Sequence, residues 1–548
     1  MSAADDQPAG AGKPALEFDA VVIGAGFAGL YMLHRLRQMG LSARCYESGT
    51  GVGGTWYWNR YPGAACDVES VLYSYSFSKE LEQEWNWSER YARQPEILRY
   101  ANYVTDRFDL RKDIQFRTRV TSAAFDEASG RWQIRTDQGD RVSATYCVMA
   151  TGCLSAPKNV DIPGLEKYQG HKYFTAYWPH EGVDFSGQRV GVIGTGSSGI
   201  QSIPVIAQQA KHLYVYQRTP NYSIPARNGP MTPEQQSKVK ANYEEIRRRQ
   251  YNDFIGLVGG IEPVPTNKNS ALAATPEERE REYEYRWNLG GLYFYTSYAD
   301  LFDNRQANET VAEFVRKKIR EKVRDPAVAE LLCPKDYPFG TKRLCADSGY
   351  YETFNRDNVT LVDIKSKPVE TFTAKGLIVD GKEYELDSIV FATGFDAMTG
   401  ALFNIDIRGR GGIALKDKWA AGPYTYLGLM TAGFPNMFIT TGPGSPSVLY
   451  NMIIGNEQHV EWIADSIDYL RKRNRRTIEP TAEAEKSWVA HVNEVGEGTL
   501  FVKTNSWYVG ANVPGKPRVI LPYLGGFDVY CKKCKEVVEN GYEGFVTA

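Results

Sequence analysis

Short apolar runs that end in glycine punctuate this chain, and each predicts a buried parallel strand. Ala20-Val-Val-Ile-Gly24 is the first. Helical spacing of apolar residues continues from Leu30 to Met39, and a second strand, Ala43 to Tyr46, ends at Glu47. The same plan returns at Arg189-Val-Gly-Val-Ile-Gly194, with a helical stretch to Ala210 and a strand through Leu213–Tyr216. Two strand–loop–helix–strand units predict an α/β fold built from two dinucleotide-binding domains.

Between residues 227 and 334 the pattern changes. Charged helical text such as "TPEEREREYEYRW" (275–287) and "ANETVAEFVRKKIREKV" (307–323) predicts a helical insertion with solvated faces. Strand text resumes at Val359–Val362 and at Ser388-Ile-Val-Phe-Ala-Thr-Gly394, and helical text runs from Glu457 to Arg473. The basic run from Arg471 to Arg476 reads as a solvated helix end.

Composition narrows the function classes. A length of 548 residues calls for two or three domains. A net charge of −2 gives no global field that would draw the chain to nucleic acid, so none is expected as a partner. No run of about 18 apolar residues occurs, so no membrane span is expected. The first 17 residues lack an apolar core and read as a disordered leader, not a signal peptide. Eight scattered cysteines point to a reducing compartment, and a cytoplasmic location is expected. Cys531-Lys-Lys-Cys534 is a lone CxxC without a partner pair, and no metal site is expected.

Gly24-Ala-Gly26-Phe-Ala28-Gly29 comes after a strand and opens a helix, so its backbone can approach a pyrophosphate. Glu47, eighteen residues after Gly29, suits a free ribose 2′-hydroxyl, as in FAD or NAD. Gly194-Thr195-Gly196-Ser197-Ser198-Gly199 is the second fingerprint, and nineteen residues after Gly199 stands Arg218 instead of a carboxylate. A permanent, forked cation suits a 2′-phosphate, so this site is expected to take NADPH. The resulting division is a FAD-binding domain (18–152 with 390–548), an NADP-binding domain (153–226 with 335–389) and the insertion (227–334). Both nucleotide domains are expected to be Rossmann-like.

The stretch Gly53-Gly-Thr-Trp-Tyr-Trp-Asn-Arg-Tyr-Pro-Gly-Ala-Ala-Cys-Asp67 resembles the long motif of the type I Baeyer–Villiger monooxygenases. "PFGTKRL" (338–344), "FATGFDAMTGAL" (391–402), "TGPGSPSVLYNM" (441–452) and "NSWYVGANVPGKPRV" (505–519) extend the resemblance over nearly the whole chain. The text is most similar to the branch that acts on aromatic and steroidal ketones. The resemblance implies FAD, NADPH and O2, an oxygen adduct at the flavin C4a carbon that attacks a hydrophobic ketone, and an ester or lactone product. It also implies sulfide oxidation as a side activity and a monomer.

It further implies residue roles. Arg343 would be catalytic with Asp67 beside it. Thr55, Trp56, Tyr57, Trp58, Asp67, Tyr73, Val120 and Met452 would join Gly24, Gly26, Ala28, Gly29 and Glu47 around FAD. Thr195 to Gln201, Arg218, Thr219, Lys342, Arg343 and Trp507 would hold NADPH. Thr55, Val68, Cys153, Leu154, Leu344, Thr441, Val448, Leu449 and Tyr450 would line the substrate pocket. A guanidinium fits the chemistry because it stays charged beside an anionic nucleophile.

"YQGHKYFTAYWP" (168–179) departs from the family pattern, with Phe174 where a histidine is expected. It would lie on a linker into the NADP domain and alter domain coupling, not the oxygen chemistry. A flavin-dependent N- or S-monooxygenase remains the alternative. A disulfide reductase would need a CxxxxC after the first fingerprint, and Cys45 and Cys66 do not supply it.

Overall fold

The protein is represented by a computed structural model that describes residues 15–548. The anticipated leader falls mostly outside the described residues, and Leu16 and Glu17 already belong to the first strand. In chain order the strands are β1 (Leu16–Ile23), β2 (Ala43–Tyr46), β3 (Ile114–Gln115), β4 (Val120–Asp126), β5 (Arg131–Thr136) and β6 (Arg141–Met149). Next come β7 (His171–Phe174), β8 (Arg189–Ile193), β9 (His212–Gln217), β10 (Ser223–Pro225), β11 (Cys345–Asp347) and β12 (Val359–Asp363). β13 (Val369–Phe372), β14 (Gly376–Val379) and β15 (Lys382–Glu385) form an antiparallel meander. β16 (Ser388–Phe391), β17 (Asp406–Arg408) and β18 (Met437–Ile439) then return to the two main sheets.

The first sheet runs β17-β4-β5-β6-β1-β2-β3, with β18 also on β6. Its β1–β2 and β1–β6 pairs are parallel, whereas β4, β5 and β6 pair antiparallel. The second sheet, β12-β9-β8-β16-β7, is parallel throughout. Parallel strands are covered on both faces, which is why Ala20–Val22 and Val190 and Val192 have no exposed surface. The α/β fold with two dinucleotide-binding units is thus realised.

Three details bear on the sequence reading. β16 belongs wholly to the second sheet, so a division at 389/390 cuts a strand and shifts past Phe391. The helix expected from Glu457 begins at Met452, capped by the Asn451 side chain. Most of the basic run at its end is exposed, as a solvated helix end should be.

The insertion consists of helices Pro233–Ala241, Tyr243–Tyr251, Pro276–Leu289, Arg305–Lys322 and Pro326–Leu332. Thr232 with Gln235, and Thr275 with Glu278, form reciprocal capping boxes that start two of them. Two buried groups fasten the insertion to the segment after Asp67. Arg247 donates to Glu82 at 2.7 Å, and Glu69 accepts from Arg90 at 3.0 Å and from the Gly260 N–H at 2.8 Å. No helix among the described residues is long and apolar enough to cross a membrane.

Candidate functional site

The first glycine loop is shaped by close backbone packing. Gly24 has φ +107°, and a Cβ there would lie 2.5 Å from the Ala150 carbonyl oxygen. A Cβ on Gly29 would lie 1.9 Å from the carbonyl oxygen of Gly24. Glu47, at the end of β2, accepts from the Ala25 N–H at 2.9 Å and from the Gly49 N–H at 2.7 Å. These bonds hold its carboxylate in the lining of a cleft of about 330 Å³.

Gly24, Gly26, Ala28, Thr55, Trp56, Trp58, Tyr73, Val120 and Met452 line the same cleft. The Trp56 indole donates to the Tyr73 hydroxyl at 3.1 Å, which fixes both rings. Gly29, Tyr57 and Asp67 do not line it. Gly29 packs helix on strand, and the Tyr57 hydroxyl is tied to Thr50 at 2.6 Å while its ring meets Arg60 and His180. Asn456 was not anticipated. It lines the cleft, and its Oδ1 is buried with no partner among the described residues.

The second loop repeats the first. Gly194 has φ +113°, and a Cβ would lie 2.4 Å from the Ala392 carbonyl oxygen; on Gly199 it would lie 2.2 Å from the Gly194 carbonyl oxygen. Each fingerprint therefore rests on the alanine of an Ala-Thr-Gly strand end. Thr195 donates to the Thr219 carbonyl at 2.8 Å and ties the loop to the turn after Arg218. Lys342 lies 4.5 Å over the Tyr337 ring. Burial, reinforced by the charge of Arg218, lowers its pKa below the ordinary lysine value, and the same causes act on Lys158. Lys158, Arg218 and Lys342 thus form one cationic group, and Lys158 is a member that no sequence motif marked. Ser197 Oγ lies 3.2 Å from Cys345 Sγ, and Ser198 neighbours Tyr61.

Gln201 is tied to the first unit. Its Oε1 accepts from the Tyr61 hydroxyl at 2.9 Å and its Nε2 donates to the Ala65 carbonyl at 3.0 Å. Oε1 and one N–H of the amide are engaged by the 61–65 loop, so Gln201 latches the two units together.

Arg343 and Asp67 make a forked pair, Nε to Oδ2 at 2.8 Å and Nη2 to Oδ1 at 2.7 Å. Nη1 donates to the Val448 carbonyl at 3.1 Å. Each partner exposes about a fifth of its side chain (19% and 20%). Burial opposes the charge of Arg343, but Asp67 and its neighbours outweigh it and hold the guanidinium pKa well above its ordinary value. Removing one partner of such a pair costs roughly 3–5 kcal/mol, because the other charge is left buried and alone. Tyr295 and Tyr508 stand beside the pair and were not anticipated. Tyr295 accepts from the Leu344 N–H at 2.9 Å, and burial pushes its phenol up to about 12.

Arg343 opens into a largely apolar cavity of about 320 Å³ with Tyr295, Phe302, Leu449, Tyr450, Phe501 and Tyr508. The anticipated substrate residues divide. Leu449 and Tyr450 line this cavity; Thr55, Cys153, Leu154, Thr441 and Val448 line the glycine-loop cleft; Val68 and Leu344 line neither and belong to the core. The turn Ser447–Leu449 contributes to both spaces, Val448 to one and Leu449 to the other. Cys153, Leu154, Val448, Leu449, Met452 and Trp507 pack in one apolar cluster, with Trp507 against Tyr508 at 4.2 Å. Tyr450 stacks on Phe527 at 3.4 Å, and its hydroxyl donates to the Gln250 carbonyl.

Phe174 is not on a linker. It ends β7, the edge strand of the second sheet, opposite Phe391, and their rings stack at 4.9 Å. Ala176 and Tyr177 just beyond it line the glycine-loop cleft. Cys531 and Cys534 are free thiols on the helix Phe527–Glu539, and no cluster of metal-ligating side chains occurs among the described residues.

Two nucleotide cradles on separate sheets, bridged by an ion pair between Asp67 and Arg343, define a two-dinucleotide flavoprotein oxidoreductase. A family model described as "Pyridine nucleotide-disulphide oxidoreductase" matches residues 21–253. The chain is 45% identical over 530 residues (96% of this chain, 98% of the relative) to acetone monooxygenase (methyl acetate-forming) of Gordonia sp. (strain TY-5). It is 42% identical over 533 residues (96% and 97%) to phenazine N-monooxygenase PhzNO1 of Lysobacter antibioticus. A solved structure described as oxidized steroid monooxygenase bound to NADP superposes with a TM-score of 0.92 at 55% identity, covering 97% of this chain and 99% of that one.

The chain belongs to the type I Baeyer–Villiger monooxygenases, NADPH-dependent flavoproteins that work with FAD and O2. The site fits both nucleotides. The first cradle offers a carboxylate for a ribose hydroxyl and an unpartnered amide oxygen. The second offers three cations, and none of the described residues lies within 4 Å of where a Cβ on Gly196 would stand.

Proposed function

We propose that this enzyme inserts one oxygen atom beside the carbonyl of a hydrophobic aromatic, cyclic or steroidal ketone to give an ester or lactone. The observation that carries the reading is the mostly buried Arg343–Asp67 pair at the wall of an apolar cavity. When bound, FAD supplies the redox chemistry, accepting hydride from NADPH and passing electrons to O2. The protein's own groups do the rest.

Gly24, Gly26, Ala28 and the adjoining helix N-terminus hold the FAD pyrophosphate, and Glu47 holds its ribose. Trp56, Trp58, Tyr73, Met452 and Asn456 line the same cleft and would border the ring. Arg218, Lys342 and Lys158 select the NADPH 2′-phosphate through charge, while Thr195, Gly196 and Ser197 border the pyrophosphate. Trp507, packed on Tyr508, would contact the nicotinamide nucleotide.

Arg343 is a fixed cation that cannot give up its proton, so it stabilises negative charge as it develops on the carbonyl oxygen of the ketone. Such a preorganised donor contributes about 3–4 kcal/mol. Asp67 keeps the guanidinium plane in place by engaging two of its N–H groups. The aromatic walls exclude water, which strengthens the electrostatic contact. Leu449 and Tyr450 border the ketone's apolar body.

The 42% identity to a phenazine N-monooxygenase favours a second reading, oxygen transfer to a heteroaromatic nitrogen. A panel of linear, aromatic, cyclic and steroidal ketones beside one sulfide and one phenazine, with products weighed by mass spectrometry, separates the two. Ester or lactone from a ketone supports the main reading. N-oxide without any ester overturns it. Sulfoxide is expected under both.

A further inference from the structure

His459 is a buried histidine that neither cradle nor cavity uses. It lies on the helix Met452–Lys472, on the same face as Met452 and Asn456, at successive spacings of four and three residues. Those two residues line the cleft, and His459 sits behind them, 1% exposed. Its Nδ1 accepts the Thr441 backbone N–H at 2.9 Å. A backbone N–H can only donate, so the ring proton is on Nε2. Nε2 lies 3.1 Å from the Tyr530 hydroxyl, which itself donates to the Leu427 carbonyl at 2.7 Å. Every direction in this chain of bonds is therefore fixed. Burial lowers the imidazole pKa to about 3, consistent with a neutral ring near neutral pH.

Both ends of the chain are unusual. Thr441 has φ +52° and Leu427 has φ +59°, left-handed conformations that side chains with a Cβ rarely adopt. The two segments touch, since a Cβ on Gly442 would lie 2.4 Å from the Gly428 carbonyl oxygen. Thr441 begins the loop that lines the cleft through Thr441 and Val448, and near its end the Val448 carbonyl receives Arg343. Strained backbone persists only where its surroundings hold it.

We infer that His459, backed by Tyr530, is a positioning residue that holds the Thr441–Leu449 loop against both the flavin cleft and Arg343. This rests on the reading of that cleft as the flavin site. Loosening the loop shifts the Val448 carbonyl and the cleft wall together, so NADPH oxidation continues while less of it ends in ester.

The test compares two amides in the purified holoenzyme. His459→Asn keeps an acceptor near Nδ1. His459→Gln carries its amide out to the level of Nε2 and leaves the Thr441 N–H unmet. Hydrogen peroxide formed per NADPH and the visible spectrum of the bound flavin are measured, with flavin content and thermal midpoint as controls. His459→Asn, which keeps the Thr441 bond but loses the one to Tyr530, should release about twofold more peroxide than wild type, and His459→Gln about fivefold more with a shifted flavin spectrum. Equal coupling and spectra in His459→Gln and wild type would overturn the inference, as would equal loss in both variants.

If His459→Gln does not fold, Tyr530→Phe decides. It should raise peroxide at unchanged flavin content, and wild-type coupling in that variant would overturn the inference. If wild type makes no ester from any ketone, the proposed function fails, and the spectral comparison still judges His459.

Discussion

The two glycine loops are near copies in backbone and opposites in surroundings. In each, the first glycine packs on the alanine of an Ala-Thr-Gly strand end and the last packs on the first. Around them the similarity stops. The first loop is covered by the Gly53–Thr55 segment, since the Gly53 N–H donates to the Ala25 carbonyl and a Cβ on Gly54 would lie 2.9 Å from the Gly26 Cα. The second loop has open space before Gly196. A carboxylate ends the strand after the first, and cations gather after the second. On the function proposed above, one backbone device would serve FAD at the first loop and NADPH at the second, with the surroundings making the difference.

Breaking each loop in the same way should therefore give different results. Gly29→Ala forces a Cβ against the Gly24 carbonyl and is expected to yield protein without flavin, seen as loss of visible absorbance. Gly199→Ala is expected to keep its flavin and lose NADPH-driven reduction by more than about tenfold. A Gly29→Ala protein with full flavin content would dissolve the comparison.

A smaller effect tests the charges. Arg218→Ala should raise the KM for NADPH about 10- to 100-fold, the size of a lost charge-assisted bond, and leave the KM for NADH unchanged. Lys342 adds a pH dependence of known sign. Its pKa is lowered, so its charge is lost as pH rises at a lower pH than for an ordinary lysine. The KM for NADPH should accordingly climb on the alkaline side, and Lys342→Arg should flatten that climb.

The smallest change concerns the latch. Gln201→Leu removes neutral hydrogen bonds worth about 0.5–1.5 kcal/mol each. It should slow flavin reduction by about two- to tenfold in a stopped-flow trace without lowering flavin content. If Gln201 instead cradled phosphate, the KM for NADPH would rise with it.

Much of the fold was legible in the chain, and the exceptions have physical reasons. Local signals that fix backbone, such as the glycine spacings and the apolar strands β1, β2, β8 and β9, survive in the structure because they are satisfied locally. Glu47, Arg218, Asp67 and Arg343 come from motifs. The antiparallel strands β4 and β5 were not anticipated, because their alternating text between polar turns is weak beside a continuous apolar run. Gln201 and Tyr57 sit inside motifs but spend their polar atoms on neighbouring loops, which only tertiary packing reveals. Lys158, Tyr295, Asn456 and His459 carry no motif, and what marks them is an unpartnered oxygen, a shared field or a bond to a strained backbone. Phe174, read as a break in a linker, is a strand end matched to Phe391, a pairing between positions far apart in the chain.

The proposed function gives Arg343 a role at the oxygen-transfer stage, after flavin reduction, and not in the reduction itself. The direct measurement uses Arg343→Ala holoenzyme with a ketone that wild type converts, recording NADPH oxidation and ester formation separately. NADPH oxidation should continue while ester falls by about 10²–10³-fold, the effect of removing one preorganised donor. Ester formed at the wild-type rate would rule out that role for Arg343.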